Sequence, residues 1–177
     1  MTRPPFAPPT AAEIEAVSRQ LGRPARGVLG IAARCVCGAP TVVATRPRLD
    51  DGTPFPTLYY LTHPAATAAL STLEAEGHMP QLAALLEGDV ADAYARAHQA
   101  YLDDRESINH VPEIAGISAG GMPGRVKCLH ALAAHSLAAG PGLNPIGDLA
   151  LERADWSPEI CECLEPFPAG TGAEEPA

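Results

Sequence analysis

Apolar positions along this chain change their period twice, and the changes mark out its elements. From Thr10 to Leu21 the residues Ile14, Val17 and Leu21 recur at helical spacing. Thr10, with Glu13 three residues on, has the pattern of a capping box, and Gly22 is placed to end the helix. The pattern then shortens. Gly27 to Ala33, Thr41 to Thr45 and Thr57 to Thr62 are brief runs rich in Val, Ile, Thr and Tyr, which suit a pleated surface. Asp51-Gly52 supplies turn chemistry between the second and third runs, and Pro54 and Pro56 stand just ahead of the third, where a missing N–H does least harm. After Thr62 the helical period returns. The spacing predicts helices from Pro64 to about Glu76, Met79 to Leu86, Asp89 to about Arg105 and Pro123 to Ala139, with a loop over Val111 to Gly121 and a short turn after Gly147.

Strands first and helices afterwards predict an α+β fold: a small antiparallel sheet of about three strands covered by four to six helices. The Pro-rich residues 1–9 read as a disordered lead, residues 10–156 as a single domain and residues 157–177 as a flexible acidic tail. With 177 residues, 46% apolar and 19% charged, the chain can bury a core. At 5% aromatic, that core must be built mainly from Leu, Val, Ile and Ala. A net charge of −9 argues against nucleic acid or an acidic membrane as partner. No apolar run approaches the roughly 20 residues needed to span a bilayer, and the N-terminus has no apolar signal region. The expectation is a cytoplasmic protein with reduced thiols, so that five cysteines point to metal ligands, core thiols or a reactive thiol rather than disulfides.

Ser118 to Asp148 carries the densest chemistry. If a helix starts at Pro123, then Arg125 and Lys127 oppose its dipole. Together with Gly120, Gly121 and free N–H groups they make a candidate anion site, with Arg46 and Arg48 as further cations. His135 is the candidate proton-transfer group. A direct Cys128–His135 pair is excluded on a continuous helix, since seven residues rise about 10 Å, and His130 is expected on a different face from Cys128.

Cys35-Val36-Cys37-Gly38 can aim two sulfurs at one ion, because the glycine lets the backbone turn behind them. His63, at the end of the third strand, and Cys128, on the central helix, complete a candidate set of Cys35, Cys37, His63 and Cys128 for zinc. Cys161-Glu162-Cys163 is a rival pair. Asp50 and Asp51 could serve a divalent cation but read more simply as a solvated turn, and His78, His98 and His110 read as surface or capping residues.

The blocks RGVLGIAARCVCGAP, VVATRPRLDDGTPFPTLYYLTHP, LEAEGHM and SAGGMPGRVKCLHALAAHSLAAGPGLNPIGD resemble an uncharacterised bacterial family, classed as a domain of unknown function. The resemblance runs from about residue 20 to 150. It implies a cytoplasmic bacterial protein without an established activity. That family's pattern can place cysteine where this chain has His63, an exchange that a metal-ligand position tolerates, whereas Cys161 and Cys163 lie outside the matching blocks. The sequence therefore supports a Cys/His metal site beside an anion pocket for a phosphorylated or carboxylated small molecule. The alternative is a non-catalytic binding or adaptor protein whose Cys and His residues are structural. Whether the chain is an enzyme stays open at this stage.

Overall fold

The computed structural model describes residues 3–163 and residue 167. Among them are α1 (Ala11–Leu21), β1 (Val28–Arg34), β2 (Pro40–Thr45), β3 (Tyr59–Leu61), α2 (Pro64–Ala75), α3 (His78–Ala83), α4 (Gly88–Ile108), a 3-10 turn at Pro112–Ile114, α5 (Leu129–Ala139) and α6 (Pro145–Arg153). The strands form one antiparallel sheet in the order β1-β2-β3, with Ile31 opposite Val43 and Val43 opposite Tyr60. The fold is α+β, with six helices among the described residues.

The central strand β2 is buried along its whole length because both faces of the sheet are covered. Val42, Ala44, Tyr59 and Leu61 face the main core, which α2, α4, α5 and α6 fill with Leu70, Tyr94, Leu129, Leu132 and Ile146. Val43 and Ile31 face the other way and pack on Val17 of α1. The capping box of α1 is present: the Thr10 hydroxyl accepts from the Glu13 amide, and the Glu13 carboxylate accepts from the Thr10 amide at 2.7 Å. Of the stripe read from the sequence, Val17 is buried, and Ile14 and Leu21 are half-buried.

α5 is the hub, lying against β3, α2 and α6. It meets α6 at Gly147, where any Cβ would strike the Leu132 carbonyl and the Ser136 hydroxyl, so only glycine allows this approach. Buried Arg105 on α4 donates to the carbonyls of Ile114, at 2.7 Å, and of Pro56 and Ile117, tying two loops to the helix.

Four segments differ from the sequence reading. In place of a short turn after Gly147 the chain forms the nine-residue helix α6, which starts at Pro145. The lead is engaged: Ala7 pairs antiparallel with Ile31 through bonds of 2.8 and 3.0 Å, passing over Gly30, which has no side chain to block it. The central helix starts at Leu129, not Pro123. Gly120 and Gly121 have φ of +72° and +95°, and their carbonyls accept from Lys127 at 2.8 Å and Arg125 at 3.0 Å, which closes residues 120–127 into a compact loop. Finally, the segment after Ser157 returns to the sheet, where the Val36 amide donates to the Pro158 carbonyl at 2.9 Å. The rest of the expected tail, residues 164–166 and 168–177, lies outside the described residues. No helix among the described residues is long and apolar enough to cross a membrane.

Candidate functional site

Beyond β1 the chain turns tightly. The Gly38 amide reaches back to the Cys35 carbonyl at 2.8 Å, and Gly38 takes a φ of +89° that favours glycine. This turn presents Cys35 and Cys37 to the returning C-terminal segment. The sulfurs of Cys35, Cys37, Cys161 and Cys163 all lie within 4.8 Å of one another. Cys37 and Cys163, 126 residues apart in sequence, have their sulfurs 3.5 Å apart. Four sulfurs held tetrahedrally by zinc bonds near 2.3 Å are about 3.8 Å apart, so this cluster can hold a metal ion.

The metal set drawn from the sequence is therefore changed. Cys35 and Cys37 come together as expected, but their partners are the rival pair Cys161 and Cys163. Cys128 is in a different cluster, because its place ahead of α5 turns its sulfur toward α2. His63 touches the metal cluster from outside: its Nε2 is 3.2 Å from the Cys163 sulfur. The same ring caps α2, with Nδ1 accepting from the Ala66 amide at 3.4 Å. An accepting Nδ1 leaves the proton on Nε2, so His63 donates to the Cys163 sulfur rather than offering it a lone pair. Trp156, with its ring 5.4 Å from that of His63, covers it.

Burial pushes the thiols of Cys35 and Cys163 up. Burial also raises Cys37, but the amides of Phe167 and Ala39 and the neighbouring thiols outweigh it and bring Cys37 down to about 6. A cation shared by all four sulfurs would remove the conflict between these unequal thiols.

The second cluster joins the end of α2 to the start of α5. Glu74 Oε1 accepts from the Leu129 amide at 2.6 Å and from His130 Nδ1 at 3.1 Å. His130 Nε2 is 3.1 Å from the Thr67 carbonyl and 3.1 Å from the Ser71 hydroxyl. Cys128 is the N-cap residue, and its sulfur lies 4.0 Å from His130 Nδ1. The sequence reading placed His130 and Cys128 on different helical faces. They meet because Cys128 is extended rather than helical, at φ −152°. Interaction with Cys128, and then with Glu74, raises His130 to about 9 against the opposing effect of burial, and His130 in turn holds the Cys128 thiol below its usual range.

Glu74 also occupies the place that the sequence reading gave to a bound anion at the start of the central helix. An anion was expected at the start of the central helix, and the chain provides its own, the Glu74 carboxylate on the Leu129 amide. Arg125 and Lys127 are exposed in the loop ahead of the helix rather than in its first turn. Gly120 and Gly121 serve the loop itself: a Cβ on the first would enter the Leu132 side chain, and on the second the Arg125 carbonyl. Arg48 Nη2 donates to both carboxylate oxygens of Glu113, at 2.6 and 2.7 Å, and Arg46 lies 3.9 Å from Asp50.

His135 is packed in the core rather than in a cleft. It stacks on Tyr59 with centroids 5.7 Å apart and meets Tyr101 edge-on at 5.1 Å. Asn144 fixes its tautomer. The amide oxygen of Asn144 accepts from Gly147, so its NH2 faces His135 Nδ1 at 3.2 Å and the ring proton sits on Nε2. Desolvation lowers its pKa to about 3, so the ring is neutral.

The sequence reading missed Glu74 and set His130 aside as facing away from Cys128. The signal was there: Gly120, Gly121 and Gly124 argue against a helix before Cys128, and a start at Leu129 leaves three amides in need of an acceptor. No curated protein and no solved structure matches the chain. The family described as protein of unknown function DUF501 matches residues 31–152, a span that holds β2, β3, five of the helices and the whole Glu74–Cys128–His130 cluster. On that match, the chain belongs to the DUF501 family.

Proposed function

We propose that Cys35, Cys37, Cys161 and Cys163 hold one zinc ion, and that this zinc is a structural staple fixing the C-terminal segment to the turn beyond β1. The observation that carries this reading is the convergence of two Cys-x-Cys pairs from opposite ends of the domain, with all four sulfurs within 4.8 Å. Soft thiolates select zinc over the hard oxygen-seeking cations. Four protein ligands leave no open position for a substrate or a water, which suits the structural role read as the alternative from the sequence better than a metal enzyme. His63 supplies the supporting hydrogen bond that thiolate ligands commonly receive.

The test is metal content and spectroscopy. Protein purified without chelator should carry one zinc per chain, and cobalt exchanged into it should give the intense absorption of a tetrahedral thiolate site. Cys163→Ser should lose both. Protein that is metal-free when purified under reducing conditions, or that carries a Cys37–Cys163 disulfide in its place, overturns the reading.

A further inference from the structure

We propose that Cys128, His130 and Glu74 form a nucleophilic thiolate site, distinct from the four-cysteine cluster, that takes an activated acyl group.

The ring of His130 sets the chemistry. Both of its nitrogens face acceptors: Nδ1 the Glu74 carboxylate at 3.1 Å, and Nε2 the Thr67 carbonyl at 3.1 Å. Nε2 also lies 3.1 Å from the Ser71 hydroxyl, which can accept as well as donate. With a proton on each nitrogen the ring serves the Glu74 carboxylate, the Thr67 carbonyl and the Ser71 hydroxyl at once, and a doubly protonated imidazole is a cation. That cation lies 4.0 Å from the Cys128 sulfur. A fixed positive charge beside a thiol favours the thiolate, which is the nucleophilic form. Glu74 makes the arrangement durable, because its Oε1 is itself held by the Leu129 amide at 2.6 Å and cannot swing away without exposing the start of α5. Cys128, His130 and Glu74 are all only partly buried, so a reagent can reach the sulfur.

The contrast with the remaining thiols gives the site its selectivity. Of the five cysteines in the chain, four are in the other cluster, and Cys128 alone has a cationic partner. The chemistry is balanced without any further reactant. The sulfur electron pair forms an S–C bond at the carbonyl carbon of an activated ester or thioester. The bond from that carbon to the leaving group breaks, and the leaving group departs with its electron pair as an oxyanion or thiolate. Cys128 is left as a thioester.

The experiment uses the full chain as purified, with iodoacetamide and p-nitrophenyl acetate as probes and Cys128 followed by peptide mass spectrometry. In the parent, alkylation of Cys128 should stay fast well below the free-thiol midpoint of about 8.5. His130→Gln should slow it about tenfold at neutral pH and return its pH profile to that of a free thiol, in keeping with a lost thiolate fraction. Glu74→Gln keeps an oxygen for the Leu129 amide and should move the profile in the same direction by less. If His130→Gln does not fold, the parent profile and Glu74→Gln decide. p-Nitrophenyl acetate should release one equivalent of p-nitrophenolate per chain and leave one acetyl group on Cys128. A parent profile that follows a free thiol overturns the proposal, as does a second metal ion per chain that shields Cys128 until a chelator is added. Fast alkylation without acetylation would overturn the acyl assignment.

Discussion

Cysteine meets histidine at two places in this protein, and the two pairs are opposite in character. At the end of the sheet His63 Nε2 is 3.2 Å from the Cys163 sulfur; at the start of α5 His130 Nδ1 is 4.0 Å from the Cys128 sulfur. The residue types are the same, so the difference lies in what the second ring nitrogen touches. In His63 it accepts from a backbone amide, which leaves one proton on the ring, and burial lowers its pKa further despite Glu162 nearby. In His130 it faces a carbonyl, and interaction with Cys128 first and then with the Glu74 carboxylate drives the ring to about 9. A neutral ring is a hydrogen-bond donor that steadies a sulfur already committed to a cluster. A charged ring activates a sulfur that lies outside the four-cysteine cluster. The backbone group and the carboxylate around each ring decide which.

The largest expected effect tests the first pair. Removing the proposed zinc, or cutting the chain before Cys161, should untie a cross-link that closes most of the chain. By analogy with a disulfide spanning a loop of that size, about 4 to 5 kcal/mol should be lost. That corresponds to a fall in Tm of roughly 10–15 °C by calorimetry. A truncated chain that melts within a degree or two of the parent would mean that the four sulfurs converge without being tied.

A third histidine sharpens the comparison. His135 has neither a carboxylate nor a cysteine beside it, and burial lowers its pKa to about 3. The unfolded chain takes up a proton at this residue below about 6.5, whereas the folded chain does not until about 3. Stability should therefore fall as pH drops, by about 1.4 kcal/mol per unit across that window. Between pH 6.5 and 5 the loss is roughly 2 kcal/mol. Denaturant melts across this range should show a shallower slope for His135→Phe than for the parent. Equal slopes would place a compensating partner near the ring.

Glu74→Gln probes the second pair through stability rather than reactivity. It removes the negative charge at the start of α5 and a charge-assisted bond to His130, and should cost about 1–2 kcal/mol. A neutral result would show that Glu74 is dispensable to the helix and would weaken its claim to hold His130. The smallest effect is expected at Arg125→Gln and Lys127→Gln. Both side chains are exposed in the loop before the helix, so each change should leave stability within about 0.5 kcal/mol. A gain larger than that on losing either charge would show that these cations feel the helix dipole after all.

Much of the scaffold was legible in the sequence, because local rules write it. The capping box at Thr10 and Glu13, the β-branched runs of β1 and β2, and the proline at the start of α2 all involve residues within a few positions of each other. The sequence also singled out Cys35 and Cys37, since a Cys-x-Cys-Gly turn is a local device. What it could not supply was the partner of each chemical group. Cys163 reaches Cys37 across 126 residues, and Glu74 reaches His130 across 56. Even the start of α5 was decided at a distance. Its first amide is satisfied by a carboxylate from α2, and the two glycines taken for an anion cradle are instead shaped by Leu132 and by the loop's own backbone. Spacing along the chain fixes which residues share a turn or a helix face. Which lone pair or proton stands opposite them depends on how the elements pack, and that packing decides whether a histidine here is a neutral brace, a buried core ring or a cation.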